Sequence, residues 1–152
     1  MASATSWKII ESFAAALRNH AALNAWAQAE YEQPLRIMQG VNMAALPREE
    51  DCPLIALVPE SGKFGRIAEH ASSVRVILAV HDERFENDEL AGLKQLATNF
   101  GSLTLQALQD GEDGFYIGEV TDLYELADFP LLYRELSVTV TGSTCIGGNG
   151  LD

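Results

Sequence analysis

The segment "SGKFG" at residues 61–65 sets Lys63 beside glycines. Phosphate-binding loops use this combination because bare backbone amides and an ammonium group converge on one anion. The first glycine of the G-x-x-x-x-G-K-[ST] spacing is missing, and Phe64 stands where a hydroxyl residue would hold magnesium. Nucleotide binding is not expected there. A second cluster, "HDERFENDE" at 81–89, gathers His81, Asp82, Glu83, Glu86 and Asp88 and invites a metal hypothesis. It has neither an i, i+4 histidine pair nor a D-x-[DN]-x-[DN]-G loop, so the plainer account is a solvated strand-to-helix connection whose acids cap the helix. Cys145 as a nucleophile would need a histidine base, and nothing local selects among His20, His70 and His81. Cys52 and Cys145 lie far apart without CxxC spacing, which suggests neither a zinc site nor a disulfide framework. The glycine-rich end, 142–152, follows a strand without opening a helix and reads as a flexible tail. No catalytic, cofactor-binding or metal-binding residue is assigned, and no cofactor is expected.

The elements that would position these residues follow from periodicity. Trp7, Ile10, Phe13 or Ala14, and Leu17 recur at helical spacing, with Thr5 or Ser6 as the cap and the apolar stripe, Trp7 included, directed to the core. A second helix over "HAALNAWAQAE" carries the core residue Trp26 and stops before Pro34. "PLRIMQG", "CPLIALV" and "SVRVILAVH" read as strands, the last with Val74, Val76, Leu78 and Val80 on one face. Between the latter two, "PESGKFGRIAEHAS" reads as an excursion from the body rather than a tight hairpin, because of Pro59, Gly62 and Gly65. A helix is expected from Asn87 as its cap, with Asp88 and Glu89 in the first turn, to Gly111. A break near Gly101, with "SLTLQAL" as a strand, is the alternative. "GFYIGEVTD" and "DFPLLYRELSVTV" complete the strands, the last alternating Leu132, Leu136, Val138 and Val140 against Tyr133, Glu135, Ser137 and Thr139.

This order predicts one domain, 1–141, of the α+β class, with a mainly antiparallel sheet and helices packed on one face. The other sheet face, bearing Arg75, His81, Tyr133, Glu135, Ser137 and Thr139, is polar enough to be solvated or an interface. The formal charge is -12 in 152 residues, with 7 basic against 8 acidic side chains in 1–81 and 3 against 14 in 82–152. So acidic a second half argues against sequence-specific nucleic-acid binding. No apolar run reaches the roughly 20 residues of a membrane helix, and the N-terminus does not read as a leader. A cytosolic protein without membrane contact is expected.

The layout resembles the tail terminator, or tail completion, proteins of long-tailed bacteriophages and prophages. The resemblance rests on the N-terminal amphipathic helix, on "GVNMAALPREEDCPLIALVPESGKFG" leading into "SVRVILAVHDE", on the following helix and on "DFPLLYRELSVTV", covering most of residues 5–141. It implies a small structural protein, not an enzyme. Six copies would form a ring on the finished tail tube, stop its polymerisation and present the surface that joins the head. Its partners would be itself, the tube protein and a head-tail connector; its place would be the bacterial cytoplasm during assembly and then the virion tail. No cofactor is implied. On this view Lys63, Phe64 and Arg66 of the excursion would be contacts to tube or subunit, and Arg75, Tyr133 and Glu135 contacts between subunits. The acidic half, if it lined the channel, would let DNA slide past. Another head-tail connector or tail-assembly factor, or a small ligand-binding or enzymatic α+β domain, remains the alternative.

Overall fold

The computed structural model describes residues 2–40, 47–63, 70–111 and 115–142. In chain order these form α1 (Ala2–Asn19), α2 (Ala21–Tyr31), β1 (Arg36–Gln39), a 3-10 turn (Glu49–Asp51), β2 (Leu54–Lys63), β3 (His70–His81), β4 (Phe85–Glu86), β5 (Glu89–Leu90), α3 (Ala91–Ala97), α4 (Asn99–Gln109), β6 (Phe115–Glu125) and β7 (Leu131–Gly142). Five strands make one sheet in the order β1-β2-β3-β7-β6, parallel only between β1 and β2. The fold is α+β with a mainly antiparallel sheet and helices on one face, as the element order predicts.

Period-two alternation decides which face the helices cover. Ile55 and Leu57 of β2, Val74, Val76, Leu78 and Val80 of β3, and Leu132, Leu136, Val138 and Val140 of β7 are all buried. They pack against Ile9, Ile10, Phe13, Ala14 and Leu17 of α1, Leu23 and Trp26 of α2, and Leu96 and Phe100 of α3 and α4. Each large aliphatic or aromatic side chain so buried contributes about 1.5–3 kcal/mol before entropy is counted. At the junction of α1 and α2, the Leu23 amide donates to His20 Nδ1 at 3.2 Å. The Asn24 amide group donates to the Leu17 and His20 carbonyls at 3.1 and 2.7 Å, satisfying the end of α1.

Four expectations are corrected. Helix α1 starts at Ala2, so neither Thr5 nor Ser6 caps it, and Trp7 is 41% exposed at the margin of a stripe whose centre includes Ile9. Of the expected excursion at 59–72, residues 59–63 and 70–72 are strand, β2 and β3 pairing on to Lys63↔Ala71 with a register shift between Pro59 and Ser61, and residues 64–69 lie outside the described residues. A bulge accommodates a proline, which has no amide to donate, without ending the strand. Asn87 and Asp88 do not open a helix. Their φ values of 54° and 68° make them the centre of a two-residue hairpin between β4 and β5, a left-handed conformation that Asn and Asp tolerate. Helix α3 begins instead at Ala91, whose amide donates to the Arg84 carbonyl at 3.0 Å.

The helical region breaks at Thr98 (φ −115°, ψ −91°), not at Gly101, and residues 102–108 are helical. The Thr98 hydroxyl donates to the Lys94 carbonyl at 2.6 Å. Gly101 has another purpose. Arg134 reaches past it from the helix-covered face of β7, and its Nη1 donates to the Leu96 carbonyl at 2.9 Å near the end of α3. The same guanidinium donates to Asp122 at 3.0 Å and lies 5.3 Å from the centre of the Tyr124 ring. A Cβ on Gly101 would collide with Arg134 Nη1 and stand 2.7 Å from the Leu96 oxygen. Gly101→Ala is therefore expected to lower stability by about 1–2 kcal/mol, the loss of a charge-assisted hydrogen bond outweighing the roughly 1 kcal/mol helical preference of alanine. In urea denaturation of both single variants and the double, Gly101→Ala with Arg134→Ala should cost less than the sum; strict additivity would show that the guanidinium does not require this glycine.

Candidate interface

Strands β3 and β7 bring the predicted sheet-face residues to the surface opposite the helices. In β3 and β7 the pairing Arg75↔Ser137 sets these two side by side, and the bulge in β2 adds Glu60 as the unpaired residue beside them. Arg75 Nη2 donates to Glu60 Oε2 at 3.1 Å, and the Ser137 hydroxyl donates to Glu60 Oε1 at 2.6 Å. Glu135 approaches Arg75 Nε at 3.8 Å. The Ser137 hydroxyl, with Arg75 beside it, holds the Glu60 carboxyl below its ordinary range despite some desolvation. All three charged groups are partly exposed, so each pair contributes at most about 1 kcal/mol. The cluster fixes side-chain positions more than it stabilises the fold. With Thr121 and Leu123 of β6 it lines a shallow open concavity of about 180 Å³.

Tyr133 shares the face but belongs to a different group. It packs against Cys52, Leu54, Ala79 and Leu131, a small apolar cluster with Met38 on the side of the sheet away from the helices. Burial raises its hydroxyl pKa, with nearby Asp128 adding to the effect. Burial pushes the Cys52 thiol up to about 12, so it stays protonated at neutral pH. Adjacent Leu131 and Leu132, both buried, show why alternation alone misses this cluster: β7 is apolar on both faces at its start. Of the loop candidates, Lys63 ends β2 and its side chain is outside the described residues, as are Phe64 and Arg66. Cys145 and the tail 143–152 lie there too.

The acidic segment 81–89 connects strand to helix and is exposed over 83–89, as expected, but its acids do not cap α3, and Asp82 is an exception to the solvation. Asp82 is only 4% exposed. It accepts hydrogen bonds from the Tyr31 hydroxyl at 2.7 Å, from Arg84 Nε at 2.9 Å and Nη2 at 2.8 Å, and from the Arg84 amide at 3.0 Å. Arg84 also donates to Glu30 at 2.8 Å. Burial pushes the Asp82 carboxyl up, but the Arg84 and Tyr31 hydrogen bonds together outweigh it and hold the pKa below the ordinary value. Burial and the same carboxylate raise that of Tyr31. The signal was present in the sequence, since 74, 76, 78, 80 and 82 share a parity that directs the carboxylate to the core side. Among the described residues no three His, Cys, Asp or Glu side chains are grouped to hold a metal ion, and no helix is long and apolar enough to cross a membrane.

No protein-family model matches the chain, and no curated protein matches it significantly.

Asp82→Ala is expected to cost about 3–5 kcal/mol, because it leaves the Tyr31 hydroxyl and part of Arg84 without their acceptor. The sign with pH follows from the lowered pKa: the contribution of Asp82 is present above its unfolded value, near pH 4, and is lost as pH falls through the folded value. Asp82→Asn should therefore show a shallower loss of stability below about pH 4 than the wild type, measured by urea denaturation at stepped pH. Parallel acid limbs would exclude Asp82 as a source of acid lability.

Proposed function

We propose that this chain is a structural assembly protein of the phage or prophage tail-terminator kind, forming a head-to-tail homo-oligomeric ring, with six subunits by resemblance, that caps a tail tube and joins it to the head. One observation carries the reading: among the described residues the sheet is covered by helices on one side only, and its long border strand β6 has no partner strand on its outer edge. An unpaired edge of 11 residues is a template for contact with another chain. Leu123 on β6 is 62% exposed, and Tyr116 is equally open. The opposite border, β1, has only four residues. Unlike edges suit a heterologous contact, in which one surface meets a different surface of the next copy.

The chemistry of the edge disfavours the symmetric alternative. Glu119 and Glu125 stand along β6, and an antiparallel pairing of β6 with itself that set them opposite each other would bring like charges of two copies together. The register shift between Ile117 and Val120 also interrupts the ladder, a feature that restrains indiscriminate edge pairing. Arg75, Glu60 and Glu135 flank Leu123 and would orient a neighbour while contributing little energy themselves.

Light scattering across a concentration series tests this reading. Masses rising toward a ring, with Leu123→Arg and Arg75→Glu shifting the population to monomers at unchanged far-ultraviolet circular dichroism, would support it. A strict dimer at every concentration, or assembly indifferent to both substitutions, would remove the proposal.

A further inference from the structure

A second surface lies where two turns meet, away from the Arg75 cluster. Phe85, on hairpin strand β4, is 61% exposed, and Phe129, in the turn between β6 and β7, is 43% exposed. Their ring centres are 5.9 Å apart. Leu126, whose carbonyl accepts from the Phe129 amide at 3.2 Å, is exposed in the same turn. Two adjacent solvent-facing phenylalanines are costly for a soluble surface and mark a contact site.

The charges around this pair have one sign. Glu83, Glu86, Asp88 and Glu89 in and just before the hairpin, Glu125 at the end of β6 and Asp128 on the turn after it are all exposed. None of them is in an ion pair among the described residues. The single base of these two segments, Arg84, is occupied by Asp82 and Glu30. A second copy presenting the same patch would oppose six carboxylates with six more. Complementarity instead demands apolar anchors flanked by lysine or arginine.

We propose that the Phe85–Phe129 pair with its acidic rim docks a cationic, apolar-anchored polypeptide segment of a partner protein. The aromatic pair supplies the buried centre of the contact, and the carboxylates supply orientation and rate of encounter. The inference stands apart from ring formation at β6, because of that strand it uses only the last residue, Glu125, and it uses none of the Arg75 cluster.

The probe is a fluorescently labelled amphipathic peptide of leucine and lysine, compared with an all-lysine peptide of equal charge, by anisotropy on the full chain. Binding of the amphipathic peptide at or below about 100 μM is expected. Phe85→Ser should weaken it about tenfold or more, with unchanged circular dichroism. The triple variant Glu83→Gln, Glu86→Gln, Glu89→Gln should weaken it and flatten its salt dependence. Equal binding of the all-lysine peptide, indifference to Phe85→Ser, or no binding at that concentration would overturn the proposal. So would self-association abolished by Phe85→Ser, which would assign the patch to a second copy.

Discussion

A carboxylate held inside the protein at the end of the central strand is the constraint on which the rest depends. Asp82 follows β3, and its amide donates to the Pro130 carbonyl at 2.9 Å, which ties the end of that strand to the turn leading into β7. Its carboxylate meanwhile takes Tyr31 from the end of α2 and Arg84 from the hairpin side. Helix layer, sheet and both turns thus meet at one charge. A buried anion is tolerated only when its lone pairs are filled, so the positions of Tyr31 and Arg84 are not free to vary. The arginine stacks over the Tyr31 ring at 5.4 Å as well, leaving its remaining capacity for Glu30. Gly92 belongs to the same junction, since a Cβ there would stand 2.9 Å from that of Asp82 and 2.8 Å from Leu132 Cδ1.

The one-sided sheet was legible in the sequence, and the reason is energetic. Val74, Val76, Leu78 and Val80, with Leu136, Val138 and Val140, each remove apolar area from water only if their parity holds, and a slip of one residue would expose the whole set. Such a pattern survives any uncertainty about neighbours. Arg75, Tyr133 and Glu135 were accordingly placed on the correct face, although Tyr133 serves an apolar cluster and only the other two meet. What periodicity could not carry was the choice among local alternatives of similar energy. Asn87 and Asp88 are good helix caps and also good residues for a left-handed hairpin turn, and sequence alone does not rank the two.

The role of Gly101 was hidden for a different reason. The requirement at Gly101 depends on Arg134, more than thirty residues later, whose guanidinium enters from the sheet to reach the Leu96 carbonyl just before the break at Thr98. A local reading assigns Gly101 a helix-weakening effect, whereas the tertiary contact makes its missing side chain a requirement. Trp7 shows the converse. Its spacing fits the stripe of α1, but the residues nearest the stripe centre already fill the space over the sheet, and the indole is left at the border.

The distribution of acid connects stability with recognition. Asp82 takes the one arginine of the hairpin region, so the same interaction that closes the fold leaves the surrounding carboxylates without a local counterion. Six like charges surround two segments whose phenylalanines touch, and none of the six has a basic partner among the described residues. Their mutual repulsion opposes compactness. Nothing in the packing of the core requires them, since the buried apolar set is complete without β4, β5 or the turn before β7. The hairpin sets Phe85 in water and the turn sets Phe129 beside it, at a further cost in exposed apolar area. A segment that opposes stability both by charge and by exposed aromatic area, while being pinned by the buried Asp82, is organised for contact rather than for folding. Rigid placement by Asp82 reduces what a partner must spend on ordering it.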